Sequence, residues 1–186
     1  MIRWADAHPD WLLGLEDEVS GGVAWPLRPV EQTVAKDDPD RKALACYGVL
    51  FPPTRAVWLR FLGGHPISAV TTTFLGWCCE QANAEGKRAL LLVWDNASWH
   101  SSRKVRTGVR DHNRRIKAPG RGVRLIVCQL PSKSPWLNPI EPKWVHTKRQ
   151  VVEPDRLLSA RELAERVCDA LHCPYHPHIP LPQQVA

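Results

Sequence analysis

Residues 89–94 (ALLLVW) are apolar without a break and lead straight into Asp95. A run of that length and kind suits a strand covered on both faces, so the chain is expected to build a sheet with helices on either side. The flanking segments agree. Residues 11–17 (WLLGLED) are a short apolar run ending in acid. Residues 43–51 (ALACYGVLF) and 56–62 (AVWLRFL) are separated by a Pro-Pro-Thr turn, the pattern of an antiparallel hairpin. From Ser68 to about Ala84 the period changes, and Val70, Phe74, Trp77 and Cys78 recur at helical spacing. Ser101 and Ser102 can cap a second helix with the stripe Val105, Val109, His112 and Ile116. Residues 123–130 (VRLIVCQL) read as a fifth strand. A helix is then expected from Asn138-Pro139 to about Gln150. Ser159-x-x-Glu162 is a capping box for a last helix carrying Leu163, Val167 and Leu171. Antiparallel strands followed by βα alternation predict an α/β fold: a mixed five-stranded sheet flanked by helices.

The composition bounds what such a fold can do. At 186 residues the chain suits one domain, expected over 1–178 with an irregular tail at 179–186. Residues 20–42, rich in Gly, Pro, Asp and Lys, read as a long connection. No apolar run is long enough to span a membrane, and residues 1–10 lack the apolar core of a signal peptide, so a cytoplasmic location is expected. The six cysteines then read as reduced thiols. Cys168, His172, Cys173, His176 and His178 crowd the C-terminal end, but their spacing matches no zinc finger, and they are expected to be a helix end and its continuation. Lys and Arg exceed Asp and Glu by 25 to 19, a mild excess that favours a polyanionic partner. The excess is concentrated: Arg103, Lys104, Arg106, Arg110, Arg114, Arg115, Lys117 and Arg121 fall within one stretch whose single acid is Asp111. They are the candidate residues for binding a nucleic acid.

Three acids stand where strands and helices meet. Asp17 closes the first strand, Asp95 closes the apolar strand and Glu141 opens a helix. Ligand sites in α/β sheets gather at strand ends, and if 11–17 and 89–95 lie side by side and parallel, Asp17 and Asp95 emerge together. Like charges held that close need a cation, and carboxylate oxygens suit Mg2+ or Mn2+. Two ions about 4 Å apart would activate a water and stabilise the leaving oxygen of a phosphodiester. Each acid also has a plainer reading: Glu16-Asp17-Glu18 as a solvated strand end, Asp95-Asn96 as a turn, and Asn138-x-x-Glu141 as a helix cap.

Residues 93–100 (VWDNASWH) and 131–144 (PSKSPWLNPIEPKW) resemble the two signature segments of mariner-like bacterial insertion-sequence transposases, members of the DDE superfamily endonucleases. Asp95, Asn96, Ala97 and His100 match the first segment; Leu130, Pro131, Ser134, Pro135, Leu137, Asn138, Pro139, Ile140, Glu141 and Trp144 match the second. The shorter match of residues 9–18, ending Asp17-Glu18, resembles the segment of the family's first acid. The resemblance implies a ribonuclease-H-like, integrase-type fold with Asp17, Asp95 and Glu141 as catalytic metal ligands. It also implies two Mg2+ or Mn2+ ions, with Asn96, His100 and Asn138 in support. His100 either faces the DNA or packs at the start of the helix that follows it.

The expected activity is cleavage and strand transfer on double-stranded DNA, at transposon ends and target. The chain departs from its relatives in three ways: it begins almost at the first catalytic strand, leaving no room for a helix-turn-helix region. Its second and third acids have 45 residues between them, longer than the mariner-type spacing, and residues 19–25 (VSGGVAW) look eroded. A separately encoded helix-turn-helix subunit and a homodimer are therefore expected partners, with a nucleoid-associated location. A non-catalytic truncated remnant that binds DNA or an intact transposase is the alternative. A stand-alone ribonuclease H or junction resolvase shares the fold, and the Ser-Pro-x-Leu-Asn-Pro-Ile-Glu pattern argues against it.

Overall fold

The computed structural model describes residues 7–19, 44–63, 66–117, 120–132, 134–151 and 158–180. The 20–42 connection and residues 181–186 of the tail lie outside them. Five strands form one sheet: β1 (Trp11–Val19), β2 (Leu44–Leu50), β3 (Val57–Gly63), β4 (Ala89–Trp94) and β5 (Arg124–Gln129), in the order β3-β2-β1-β4-β5. β2 pairs antiparallel with β1 and β3, while β1–β4 and β4–β5 are parallel. This is the mixed sheet expected, with β1 and β4 adjacent and parallel. All six residues of β4 are buried, which is why that segment is apolar throughout.

Helices α1 (Ser68–Ala84) and α2 (Arg103–Lys117) cover one face, and α3 (Glu141–Gln150) and α4 (Ala160–Ala170) the other. On the first face, Leu90, Leu92 and Trp94 of β4 pack with Phe74, Cys78 and Val105; on the second, Val19, Cys46 and Phe61 pack with Trp144, Leu163 and Val167. Each such side chain fully buried contributes about 1.5–3 kcal/mol. The helix starts follow the sequence. Ser102 Oγ accepts from Val105 N (3.2 Å). Ser159 and Glu162 close the full capping box. Of the C-terminal Cys/His set, Cys168 is buried in the core on α4 itself; beyond the set, Ile179 bridges to Leu62 at the edge strand β3.

Two boundaries differ from expectation. β1 does not close at Asp17 but continues to Val19, because Cys46–Leu50 of β2 pair with Leu15–Val19 beyond the point where β4 ends. The helix expected from Asn138 starts at Glu141, after a 3-10 turn at Pro135–Leu137. Asn138 does not cap it: the Asn138 side chain is buried and donates instead to Glu16 O of β1 (2.9 Å). Pro142 sits in the first turn, where its missing N–H costs nothing. Among the described residues, no helix is long and apolar enough to cross a membrane.

Candidate active site

Successive residues of a strand point to opposite faces, so the register of β1 sorts its acids. The β1–β4 ladder ends at Leu15 opposite Val93; continued by two residues, it sets Glu16 beside Trp94 and Asp17 beside Asp95. Asp17 thus lies on one side of the sheet and Glu16 and Glu18 on the other, while Asp95, in the turn past the end of β4, reaches His100, which sits with Glu16 and Glu18. Glu141, at the first turn of α3, belongs to the side of Asp17.

Asp17 is held by a tryptophan. It pairs across the sheet with Gly48, which has no side chain, and the indole of Trp144 fills the vacant space. Trp144 Nε1 donates to Asp17 Oδ2 at 3.0 Å. A Cβ on residue 48 would lie 2.6 Å from two atoms of that ring and 3.0 Å from Ile140 Cδ1. Gly48→Ala is therefore expected to lower stability by about 1–3 kcal/mol and to shift the indole off Asp17. Thermal melts with Trp fluorescence would check this, and an unchanged midpoint would contradict it. Burial pushes the Asp17 carboxyl up to about 7, with the charges of Glu141 and Glu18 adding to the rise and the Trp144 hydrogen bond opposing it.

Asp95 is exposed, and its environment acts in the other direction. Asp95 Oδ1 accepts from His100 Nδ1 (2.9 Å) and from Ala97 N (2.8 Å). The His100 hydrogen bond, ahead of burial, which opposes it, holds Asp95 below the usual carboxylate range. Asn96 Nδ2 donates to Leu130 O (2.7 Å), tying the turn after β4 to the end of β5. Asp95, Asn96, Ala97, Leu130, Ser134, Asn138 and Glu141 line one open cleft of about 330 Å³. Glu141 thus shares a cleft with Asp95 and repels Asp17. Asp17 is not part of the cleft wall, and the three carboxylates do not form a group whose oxygens all lie within 4.8 Å of one another.

Such a tight group does exist among the described residues, on the other side of the sheet. Glu16, Glu18 and His100 offer three ligand atoms mutually within 4.8 Å. The two readings of His100 resolve here: it is 2% exposed, stacked on Trp94 with ring centroids 4.4 Å apart and planes 3° from parallel. Its Nε2 lies 2.7 Å from Glu18 Oε1 and 3.2 Å from Glu16 Oε2, in line with neither. Trp99 Nε1 donates to Glu18 Oε1 (2.6 Å). Burial disfavours a charged imidazole, but the contacts with Asp95, Glu18 and Glu16 outweigh it and lift His100 to about 10. Glu16 is 1% exposed, and burial, then Glu18, raise its carboxyl well above the ordinary value. Glu16-Asp17-Glu18 is thus not a solvated strand end. An ion in that buried group would be sealed from a macromolecular substrate, whereas the cleft beside Asp95 and Glu141 is open.

Sequence reasoning placed Asp17, Asp95, Glu141, Asn96, His100 and Asn138 in one neighbourhood, and the structure brings all six to the ends of β1 and β4. It missed Glu16, Glu18, Trp99 and Gly48, and gave Trp144 no role. The alternation of 11–19 carried a signal for the first two, since Leu12, Glu16 and Glu18 share a face. The proposed DNA-binding residues Arg103, Lys104, Arg106, Arg110, Arg114, Arg115, Lys117 and Arg121 are all exposed. They spread along α2 and past its end rather than gathering at the cleft.

Comparison with known proteins follows the same lines. The family model described as "DDE superfamily endonuclease" matches residues 67–164, which hold β4, Asp95 and Glu141. Among solved structures, the chain is similar to the Mos1 transposase paired-end complex with left transposon end: TM-score 0.57, 15% identity, 88% of this chain and 48% of that one. It is also similar to the Mos1 mariner paired end complex with Mn: TM-score 0.52, 13% identity, 92% and 56% covered. A third is the simian T-cell lymphotropic virus intasome in complex with PP2A regulatory subunit B56 gamma: TM-score 0.55, 11% identity, 94% and 59% covered. At these identities the likeness is one of fold, the ribonuclease-H-like class expected from the sequence. The chain spans between 48% and 59% of the length of those three. No curated protein matches by sequence.

Proposed function

Because this chain belongs to the DDE superfamily endonucleases, we propose that it is the catalytic domain of a transposase, with Asp17, Asp95 and Glu141 holding Mg2+ or Mn2+ (two ions) at the open cleft. One observation carries the reading. Asp95 and Glu141 line one open cleft, and Glu141 is close enough to Asp17 for the two negative charges to repel. That repulsion is what a cation relieves, and the donors are all hard oxygens. A divalent ion bound there supplies Lewis acidity and neutralises charge on a phosphodiester.

The protein groups prepare that chemistry. Trp144 fixes Asp17 Oδ2, and His100 with Ala97 N fixes Asp95 Oδ1. Glu141 stands on the first turn of α3, where the helix dipole favours its charge. In the cut, a water oxygen bonds to phosphorus as the bond to the 3′ oxygen breaks, leaving a 5′-phosphate and a 3′-hydroxyl. That hydroxyl then attacks a target phosphodiester, releasing its own 3′-hydroxyl in exchange. Recognition of the transposon ends is assigned to a helix-turn-helix unit, supplied in the same or another chain. Two ends call for two copies of the domain.

The test is nicking of supercoiled DNA by the purified chain with Mn2+. Open-circular product that disappears with EDTA is expected; no product, or product indifferent to EDTA, overturns the reading. The pH dependence is fixed by Asp17. In the metal-free protein it is protonated below about 7, so an ion must displace a proton there. Calorimetry should show Mg2+ affinity rising about tenfold per pH unit below 7 and levelling above it. A flat profile from pH 5.5 to 8.5 would contradict the role of Asp17.

A further inference from the structure

The strands end at the acids but begin at a different surface. Arg88 precedes β4 and Arg124 opens β5, joined by a hydrogen bond from Arg124 N to Arg88 O (2.8 Å). α2 runs back along these strands and delivers Arg110, Arg114 and Lys117 to the same place. Asn113 fixes the helix there: its side chain donates to Leu125 O (2.8 Å) and accepts from Leu125 N (2.9 Å). The His112 ring adds a contact to Val123 O (2.8 Å). The five cations line an open cleft of about 620 Å³ with no acid among the described residues of its wall. Asp111 lies outside it, 3.5 Å from Arg114 and 3.9 Å from Arg110. With those arginines 73% and 68% exposed, such pairs contribute little.

The cleft is the far end of a line. Arg103, Arg106, Arg110, Arg114 and Lys117 recur at steps of three and four, which places them on one stripe of α2. At 1.5 Å per residue that stripe is about 20 Å long. β4 covers a similar length, about 20 Å, between Arg88 and Asp95. A small phosphate compound would fill one point of such a line; only a polyanion with regularly repeated charge matches all of it.

We propose that the cleft of Arg88, Arg110, Arg114, Lys117 and Arg124 binds the phosphate backbone of duplex DNA at a point remote from the acids, with the stripe of α2 leading to it. At about 3.4 Å per phosphate along a strand, the contact falls roughly six nucleotides from the bond at the acids. This rests on the reading that the chain acts on DNA, but not on the reading that it cuts.

The test is binding of a fluorescent 30-bp duplex by the intact chain in EDTA, followed by anisotropy across a salt series. The Arg88→Ser/Arg124→Ser variant is expected to bind roughly 30- to 100-fold more weakly at 0.1 M salt. Its plot of log affinity against log salt should be shallower by about 2, from two lost phosphate contacts. Arg110→Ser/Arg114→Ser, on an exposed helix face, should behave alike and guards against a folding defect in the first variant. Unchanged affinity and slope in both variants would overturn the proposal. If the variants lose binding while the unaltered chain never cuts DNA, the cleft stands and the transposase reading fails. If the chain cuts and the variants bind normally, the cleft alone fails.

Discussion

Asp95→Asn and Glu141→Gln, each made in the intact chain, are expected to lower Mn2+-dependent nicking by about 10³-fold or more. Both side chains are exposed, so neither substitution opens a cavity. Asn at 95 retains an acceptor for Ala97 N and His100, and Gln at 141 gives up only a helix-dipole contact of about 0.3–1 kcal/mol. The loss should therefore appear in the rate, with the thermal midpoint moved by a few degrees at most. Glu141→Gln carries a second signature. Removing the Glu141 charge removes the largest Coulombic cause of the elevation at Asp17, so the Asp17 carboxyl should titrate below 7 in the variant, read by carbon NMR. A normal nicking rate in both variants would remove the acids from the chemistry.

His100→Ala is expected to have the largest effect on stability, about 3–5 kcal/mol, because it leaves Glu16 and Glu18 buried without their counter-charge. For a chain of this size that is a fall of about 6–20 °C in Tm. The sign with pH follows from the raised imidazole. Its contribution is complete below the unfolded value of about 6.5 and is lost as pH rises through about 10. The deficit of His100→Ala against the unaltered chain should therefore shrink in alkaline solution. Glu16→Gln in the His100→Ala background should recover part of the loss, since it replaces a buried carboxyl, whose ionisation burial and Glu18 already oppose, with a neutral amide. Equal melting curves for His100→Ala and the unaltered chain would show that the buried contacts hold nothing together.

His100 also links this stability to the site. One imidazole nitrogen meets Glu18 and Glu16 from β1 and the other meets Asp95 after β4, so the two strands that carry Asp17 and Asp95 are tied behind the cleft. The stack on Trp94 fixes the ring plane. Asp95 is thereby kept ionised in one position, while Asp17, one strand away, holds its proton up to about pH 7. The contrast between two neighbouring carboxyls comes from their surroundings: a cationic donor for one, burial and like charge for the other.

Much of the fold was legible because its signals are local. The unbroken apolar run of β4, the alternating hairpin of β2 and β3 and the Ser159–Glu162 box each specify their element from within a few residues. Asp95 and Glu141, which sit in long motifs, line one cleft. What escaped depends on contacts far apart in the chain. Asp17 seemed to close its strand because nothing in 11–18 reveals that β2 extends the pairing to Val19. Asn138 looked like a helix cap because the carbonyl it reaches, at Glu16, is 122 residues away. Gly48 reads as an ordinary strand residue until the indole of Trp144 is set against it. Glu16 and Glu18 look like solvated acids until Trp99 and His100 close over them.

The central claim, that divalent metal binds at the open cleft among Asp17, Asp95 and Glu141 and not in the tighter buried group behind it, can be tested in one diffraction experiment. Crystals grown with MnCl2 should give anomalous density within coordination distance of those three carboxylates. Density between Glu16, Glu18 and His100 instead, or none at the cleft at saturating Mn2+, would contradict the account.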